Sequence, residues 1–191
     1  GLLQEVEVFV PQKESVKVNL IRLKNTMPQK RTLKLLYFVK PVLGEDEIKT
    51  EGYIHTKFDE NSNIVEATSM YYSDIAHSNC YVSSSEKIVS FSGDRKSFFG
   101  KGNLKEPESI HKVRLDNQNS MGKPGCIAIE LKVELKAYED KEISIILGSE
   151  REEGKRQQIA YQYTKVEECK QALENTKRYW SELLRTVQIK T

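Results

Sequence analysis

The sequence predicts a mainly β protein, in which an antiparallel β-sandwich over residues 1–150 precedes a C-terminal helical linker over residues 151–191. Apolar and polar residues alternate with a period of two as far as about residue 148, which is typical of strands. Turn-forming residues separate about nine such segments at the intervals expected of a sandwich. After Gly148 the apolar spacing changes to three, four and seven residues, which indicates an amphipathic helix.

The first three segments already show the strand pattern. In "EVEVFV" the apolar residues Val6, Val8 and Val10 share one face, and "VKVNLIRL" continues the alternation after a polar interruption. Pro28, within "NTMPQK", ends the second segment because it fixes its own backbone and donates no hydrogen bond. The next segment, "TLKLLYFV", carries apolar residues on both faces, which predicts a strand near the centre of a sheet.

Further strands follow at similar intervals. Residues Tyr53 to Phe58 form a candidate strand, the run "DENSN" is a strong turn signal, and "IVEA" resumes the alternation. "NCYVSS" and "EKIVSF" predict two more short strands. "IAIELKVELK" alternates most cleanly, which predicts a half-buried antiparallel strand with one solvated face. The turn "AYED" and the return "KEISIILG" then predict that this strand forms a hairpin with the next one.

The C-terminal segment has helical spacing. "SEREEGKRQQIAYQYTK" is compatible with a short helix, although Gly154 interrupts it. From Lys165 to about Thr186 the apolar residues form one stripe, which predicts a helix of about six turns packed on the sheet. Packing against the core is the simpler role for Trp180, and a ligand platform is the alternative. The stripe consists of Val166, Cys169, Leu173, Trp180, Leu184 and Val187.

Composition excludes several classes of function. The 30 basic and 28 acidic residues are spread along the chain, so no basic patch suited to nucleic acid is visible. No apolar run has the length of about 20 residues that a membrane span needs. The spacing of the cysteines and histidines fits neither a metal site nor a disulfide framework, so we expect no metal, no cofactor and free thiols in a reducing, cytoplasmic compartment. These residues are Cys80, Cys126, Cys169, His55, His77 and His111.

The sequence also lacks the standard motifs of catalysis. Gly100 and Gly102 give G-x-G, but Lys105 stands where a dinucleotide-binding loop needs its third glycine. The adjacent carboxylates, such as Glu152 and Glu153, do not provide the facing pair that a glycosidase requires. We therefore expect no catalytic residue in this chain.

One loop, residues 91–110, has a composition typical of a contact surface. Arg95 offers a planar fork of donors, Phe98 and Phe99 offer apolar faces onto which a sugar ring can stack, and the glycines permit close approach. A structural or interdomain role, in which the charges pair within the protein and one phenylalanine fills the sandwich, is favoured over direct contact with a ligand. The candidate contact residues are Asp94, Arg95, Phe98, Phe99, Lys101 and Asn103.

Five segments together resemble a known family. They are "QEVEVFVPQKESVKVNLIRLKNT", "LLYFVKPVLGEDE", "SFSGDRKSFFGKGNLKEPESI", "IAIELKVELKAYEDKEISIILG" and "YWSELLRTVQIKT". In this order they resemble the β-sandwich domain of glycoside hydrolase family 94, formerly glycosyltransferase family 36. The most specific element is the G-D-R-x-x-F-x-G pattern at Gly93 to Gly100. The likeness is closest to the phosphorylase-like region of cyclic β-1,2-glucan synthetases.

The resemblance implies a fold and a role. It implies a sandwich of the super-sandwich type, entered part-way by this chain, and a short helical linker leading to an (α/α)6 catalytic barrel that lies beyond it. The expected function is that of a non-catalytic accessory domain of a β-glucan-processing enzyme, with the barrel as its partner and glucan as a weak ligand. A stand-alone carbohydrate-binding module and a structural or dimerisation domain, acting as a homodimer, are the alternatives. Any association with a membrane would come from the rest of a parent synthetase.

Overall fold

A computed structural model of the protein describes residues 1–71 and 78–185. In this part of the chain nine β-strands form two antiparallel sheets, and a long helix follows them. The predicted mainly β sandwich with a C-terminal helix is therefore confirmed. His77, Thr186 and Val187 lie outside the described residues.

The larger sheet has six strands, and the smaller one has three. In spatial order the six-stranded sheet contains β1 (Leu2–Phe9), β2 (Val16–Asn25), β9 (Asp140–Gly148), β6 (Asn79–Ser84), β5 (Ile64–Ser69) and β4 (Ile54–Asp59). The three-stranded sheet contains β3 (Arg31–Val39), β8 (Gly125–Leu135) and β7 (Ile88–Asp94). Every pair of neighbouring strands is antiparallel.

Four α-helices of different lengths complete the described part of the chain. They are α1 (Glu47–Thr50), α2 (Arg95–Phe99), α3 (Glu153–Tyr163) and α4 (Val166–Arg185), with 3-10 turns at Glu51–Tyr53 and Glu108–Ile110. Gly154 lies in the first turn of α3, where it does not prevent the helix from forming. The division of the chain at residue 150 stays a prediction.

The main core lies between the two sheets. Because side chains alternate across a strand, β2 turns Ile21 and Leu23 towards this core and Val16, Val18 and Leu20 to the opposite face. The centre of the core is made of aliphatic side chains from both sheets, among them Ile54, Val65, Val82, Ile127, Ile129, Leu131, Ile143 and Ile145.

A second core lies on the outer face of the six-stranded sheet, where α3 and α4 pack. Cys169 and Leu173 of α4 are buried there, together with Ile159 and Tyr163 of α3. They contact strand residues that include Phe9, Val16, Val18, Leu20 and Ile146. The sandwich is thus covered on this side by a helical layer.

The prediction that α4 docks on the sheet along its whole stripe is wrong. Val166 and Leu173 pack on the sheet, but Trp180 is 52% exposed and Leu184 is 71% exposed. The last buried residue of the helix is Thr176. An apolar period of 3.6 shows which face of a helix is apolar, but it does not show how far the neighbouring sheet extends beneath that face.

The prediction of a hairpin between β8 and β9 is also wrong. The turn at residues 136–139 carries the chain from one sheet to the other, so that β8 pairs with β3 and β7 whereas β9 pairs with β2 and β6. Asn25 stabilises this crossing, because its backbone N–H donates to the carbonyl of Glu139 at 2.9 Å and its amide donates to the carbonyl of Lys136 at 2.8 Å. A hairpin within one sheet and a crossing between two sheets both join two alternating segments, so the sequence pattern does not distinguish them.

Two further expectations, about the position of β3 and the exposure of β8, need correction. The strand β3 lies at the edge of its sheet rather than near a centre, and it is apolar on both faces because both faces are covered. Leu36 and Phe38 point away from the main core into a third cluster. The predicted solvated face of β8 is exposed only at Lys132 and Glu134, since residues 98–115 cover the rest.

Candidate functional site

The structure brings the six predicted contact residues together at the end of β7 and in the segment that follows it. Asp94 ends β7, and Arg95, Phe98 and Phe99 belong to α2. Lys101 and Asn103 lie just beyond, in an exposed turn. The G-D-R-x-x-F-x-G pattern therefore spans a strand end, one helical turn and a glycine exit.

Gly93 begins the pattern where two backbone segments approach closely. Its N–H donates to the carbonyl of Gln118 at 2.7 Å, next to a hydrogen bond of 2.6 Å from the N–H of Ser120 to Oγ1 of Thr56. A Cβ atom on Gly93 would lie 1.9 Å from that Oγ1 and 2.6 Å from the Ser120 nitrogen. Only glycine leaves room for this crossing.

Asp94 caps the helix that follows it. Its carboxylate accepts from the N–H of Lys96 at 2.8 Å and of Ser97 at 3.2 Å, and it pairs with the Lys123 ammonium at 3.3 Å. Burial alone would raise the pKa of Asp94, but the hydrogen bonds from Ser97, Lys123 and Lys96 outweigh it, so the pKa lies below its usual value. The carboxylate is therefore ionised at neutral pH and fixes the direction of α2.

Arg95 is held by two carboxylates. Its guanidinium donates to Glu47 at 3.1 Å and also to Glu51. Burial opposes the charge of Arg95, yet the hydrogen bonds to Glu51 and Glu47 raise its pKa, and the hydrogen bonds from Lys40 and Arg95 lower the pKa of Glu47. The guanidinium thus ties α2 to α1 and to the 3-10 turn after it, and its donors are directed at protein groups.

Phe98 fills the outer face of the three-stranded sheet. Its side chain is 2% exposed and stacks on Phe38 with 4.8 Å between ring centroids. Phe99 is half-buried and meets both rings edge-on. The same cluster contains Leu36, Leu115, Cys126 and Ala128. Phe98 is therefore a packing residue on the outer face of the three-stranded sheet, and it does not lie in the core between the two sheets.

Gly100 ends the pattern with a left-handed backbone, at φ 56°. A Cβ atom there would lie 2.1 Å from the Glu108 carboxylate, which accepts the N–H of Lys101 at 3.1 Å. Ser109 closes the segment, because its hydroxyl donates to the carbonyl of Phe98 at 2.7 Å. The base of the loop is therefore tied to itself as well as to the sheet.

The tip of the loop, residues 101–106, is exposed in every residue. The Asn103 side chain accepts from the N–H of Lys105 at 2.9 Å and of Glu106 at 3.3 Å, which gives the tip a defined turn. Within the described chain the Lys101 ammonium forms no ion pair, and Leu104 points into solvent. The pattern thus builds a fixed base that presents a polar tip with one apolar side chain.

A buried carboxylate beneath this loop was not found by sequence reasoning. Glu130 is only 6% exposed, and it accepts from the hydroxyl of Ser90 at 2.8 Å and from the N–H of Leu115 at 3.3 Å. The ammonium of Lys34 lies 3.7 Å away and also donates to the carbonyl of Ser109. An alternating strand gives no signal for this burial, because every second residue is normally solvated.

A second surface missed from the sequence lies on the C-terminal half of α4. Tyr179, Trp180, Leu183 and Leu184 are exposed there, and we call them the α4 surface. Beside it a groove of about 1010 Å³ runs between the helix and the segment Phe9–Lys13. Much of its lining is apolar, including Phe9, Val10, Pro11 and Leu173. The sequence did contain a signal for this surface, because the apolar stripe of α4 extends beyond the part of the helix that packs on the sheet.

The cysteines and the potential metal ligands of the described residues form neither a disulfide nor a metal cluster. No cluster of three or more His, Cys, Asp or Glu side chains is placed to hold a metal ion in residues 1–71 and 78–185. All three thiols are free, and burial raises the pKa of Cys80 and Cys126 to about 12 and that of Cys169 to about 11, which disfavours the thiolate. In the same residues, no helix has the length and apolar character needed to span a membrane.

Comparison with known proteins gives a relative and a structural neighbour. The chain is 20% identical to the cyclic beta-(1,2)-glucan synthase NdvB of Rhizobium meliloti (strain 1021), over 98% of this chain but 7% of the synthase. A solved structure of a "Putative kojibiose phosphorylase from human microbiome" matches 95% of this chain and 23% of its own, at 11% identity and a TM-score of 0.41. The chain therefore spans a small part of both proteins.

A family model matches most of the chain. The model of the glycosyl hydrolase 94 supersandwich domain covers residues 1–166, which includes both sheets, the loop that carries the G-D-R-x-x-F-x-G pattern, and α3. The resemblance to family 94 that the five sequence segments suggested is thus confirmed. The chain belongs to the glycosyl hydrolase 94 supersandwich domain family.

Proposed function

We propose that this chain is an accessory domain of a β-glucan phosphorylase or of an enzyme like cyclic β-1,2-glucan synthase. In this role it packs on the (α/α)6 catalytic barrel of a longer polypeptide and helps to shape the entrance of that barrel. The barrel carries the chemistry, and the supersandwich by itself has no phosphorylase or hydrolase activity.

The observation that carries the proposal is the division of α4 into two halves. The half that ends at Thr176 is packed on the six-stranded sheet, whereas the half that contains Trp180 and Leu184 has no buried residue among those that the structure describes. Two aromatic residues and two leucines exposed side by side are unusual on a monomeric surface and are typical of a contact surface. Tryptophan and tyrosine are also enriched among the residues that dominate interface energies.

The position of the α4 surface suits a contact with the same polypeptide. The α4 surface belongs to the last described element and lies beyond the residues that the family model matches. Another domain of the same polypeptide would reach it at little entropic cost, because the covalent linkage keeps the effective concentration of that domain high. The loop tip with Lys101 and Asn103 would serve as the second contact, at the entrance of the barrel.

Trp180→Ser and Leu184→Ser test this role. In the isolated chain we expect each variant to melt within about 2 °C of the parent sequence, because exposed side chains contribute little to stability. In the full polypeptide we expect each variant to lower the melting temperature and the phosphorolytic or synthetic activity, because both would open the contact with the barrel. Differential scanning calorimetry and activity on glucooligosaccharides measure the two effects.

Tyr138→Asn provides the matched control. Tyr138 is exposed like Trp180 but lies in the turn between β8 and β9, and asparagine tolerates its left-handed backbone at φ 55°. We expect this variant to leave both proteins unchanged. If the α4 variants behave like the control in the full polypeptide, or if they abolish self-association of the isolated chain instead, the docking role is wrong and a dimerisation domain is the better description.

A further inference from the structure

A second groove lies on the other side of the helical layer, between α3 and the turn that joins β4 to β5. It consists of two depressions of about 150 Å³ and about 400 Å³ that share Asp59, Ser62 and Gln157. The larger part falls within the range of volumes, roughly 300–1,000 Å³, that small-molecule sites usually have. We call the two depressions together the α3 groove.

The walls of the α3 groove are polar but mostly uncharged. The larger part is lined by the amides Asn61, Asn63 and Gln157 and by the hydroxyls of Ser83 and Thr164. The Asp59 carboxylate lines both parts, and the other charged side chains of the lining gather at the narrow end, where Arg156 pairs with Glu66 at 3.0 Å and also donates to the carbonyl of Glu150 at 3.0 Å. Because that guanidinium is already neutralised, the groove favours a neutral polar ligand over an anion.

The walls are also held in place before any ligand binds. The Asn63 amide donates to the carbonyls of Ser84 and Glu86, each at 3.0 Å, from a left-handed backbone at φ 57°. Asp59 accepts from the hydroxyl of Ser62 at 2.5 Å and from the N–H of Asn61 at 3.0 Å. A ligand that enters the groove therefore does not have to order these segments, which lowers the cost of binding.

Three side chains remain available to a ligand. The Asn61 amide has no hydrogen bond within the described residues, and the Gln157 amide makes only a long one, of 3.4 Å, to Glu153. Tyr161 is 68% exposed; the ammonium of Lys165 lies over its ring, 3.9 Å from the centre, so one face of the ring is covered and the opposite face is offered to a ligand. A planar aromatic ring flanked by amides combines an apolar face with neutral donors and acceptors, the two features of a pyranose.

We propose that the α3 groove is a binding site for a neutral oligosaccharide, with one sugar ring against Tyr161 and its hydroxyls on Asn61 and Gln157. Few hydrogen bonds and one aromatic contact give a weak complex, with a dissociation constant in the millimolar range. Such a site holds a glucan chain near the domain without retaining it. The site is independent of docking through the α4 surface, so either proposal can fail without the other.

Titration of the 191-residue chain with β-1,2-linked and β-1,4-linked glucotetraose, followed by ¹⁵N–¹H NMR, tests the site. We expect shifts of the backbone signals of Asn61, Gln157 and Tyr161 with at least one of the two probes, and none with inorganic phosphate. Tyr161→Ala should raise the dissociation constant roughly fivefold or more, because it removes the aromatic contact with the sugar ring. Alanine at an exposed helical position preserves the fold, and Gln157→Ala is a second variant with the same property.

Tyr179→Ala is the matched control, because Tyr179 is an exposed helical tyrosine on α4. We expect it to bind both probes as the unchanged chain does. The proposal is overturned if neither oligosaccharide shifts any signal up to its solubility limit. It is equally overturned if the shifts gather around Tyr179 and Trp180, or if Tyr161→Ala keeps the original dissociation constant.

Discussion

Phe98→Ala is expected to lower the free energy of unfolding by about 3–5 kcal/mol, the usual loss when a buried phenylalanine is truncated. The ring is almost completely buried on the outer face of the three-stranded sheet, where it stacks on Phe38 and fills the space above Cys126 and Ala128. Its removal leaves a cavity and also frees the base of the loop. Urea denaturation of the two proteins measures the difference.

Phe99→Ala is the natural comparison for this variant. Phe99 is the next residue in the same helix, but it is only half-buried, and it meets the other rings at their edges. We therefore expect a clearly smaller loss of stability. If the two variants lose the same amount of stability, or if Phe98→Ala stays within about 1 kcal/mol of the parent sequence, the ring is not packed on the outer face of the three-stranded sheet as described.

Gly93→Ala is expected to destabilise the fold by about 3 kcal/mol or more, at the upper end of what an inserted methyl group costs. The new Cβ would overlap Oγ1 of Thr56, which is fully buried and cannot turn away, and it would press on the backbone of Ser120. The strand end and the segment 118–120 would have to separate. Loss of the hydrogen bond between Gly93 and Gln118 would follow.

Gly52→Ala controls for the chemical change itself. Gly52 has no atom within 4 Å of its virtual Cβ, so alanine fits there and also restricts the unfolded chain. We expect this variant to be neutral or slightly stabilised in thermal melts. An equal effect of the two substitutions would contradict the close backbone approach at Gly93.

Most of the strands were predictable because they bury one face or both, whereas residues 3–8 of β1 are exposed on both faces. Alternation located β2, β8 and β9 well, since a shift of one residue would turn every apolar side chain of a strand to solvent. Which strands pair with each other was harder to predict. Residues 136–139 have the length and composition of a hairpin turn, but they connect strands of two different sheets. The choice between these connections depends on distant partners such as Asn25.

The candidate site was predictable in part for a similar reason. The concentration of charge, aromatic residues and glycine at residues 93–100 marked a segment with unusual constraints, and the structure gives a physical role to each conspicuous residue of it. What the sequence did not show was the direction of each side chain. Arg95 faces Glu47 and Glu51, which are more than forty residues away in the chain, and Glu130 is covered by a segment whose path no local pattern reveals.

Trp180 shows the same limit at the level of a whole helix. Its spacing from Leu173 is that of one apolar face, and the free energy gained by burying that face does not depend on which neighbour covers it. The sheet covers the first half of α4, and the second half is exposed in the described residues. The stripe in the sequence thus combines one contact with the sheet and one apolar surface that the described residues do not cover.

Hydroxyl-radical footprinting of Trp180 tests the central claim, that the supersandwich docks on a catalytic barrel through the α4 surface, most directly. The oxidation rate of this side chain would be measured in the 191-residue chain and in the full polypeptide, each normalised to the same dosimeter peptide. We predict fast oxidation in the isolated chain, where Trp180 is half-exposed, and a rate reduced several-fold in the full polypeptide. Equal rates in the two proteins would contradict the claim.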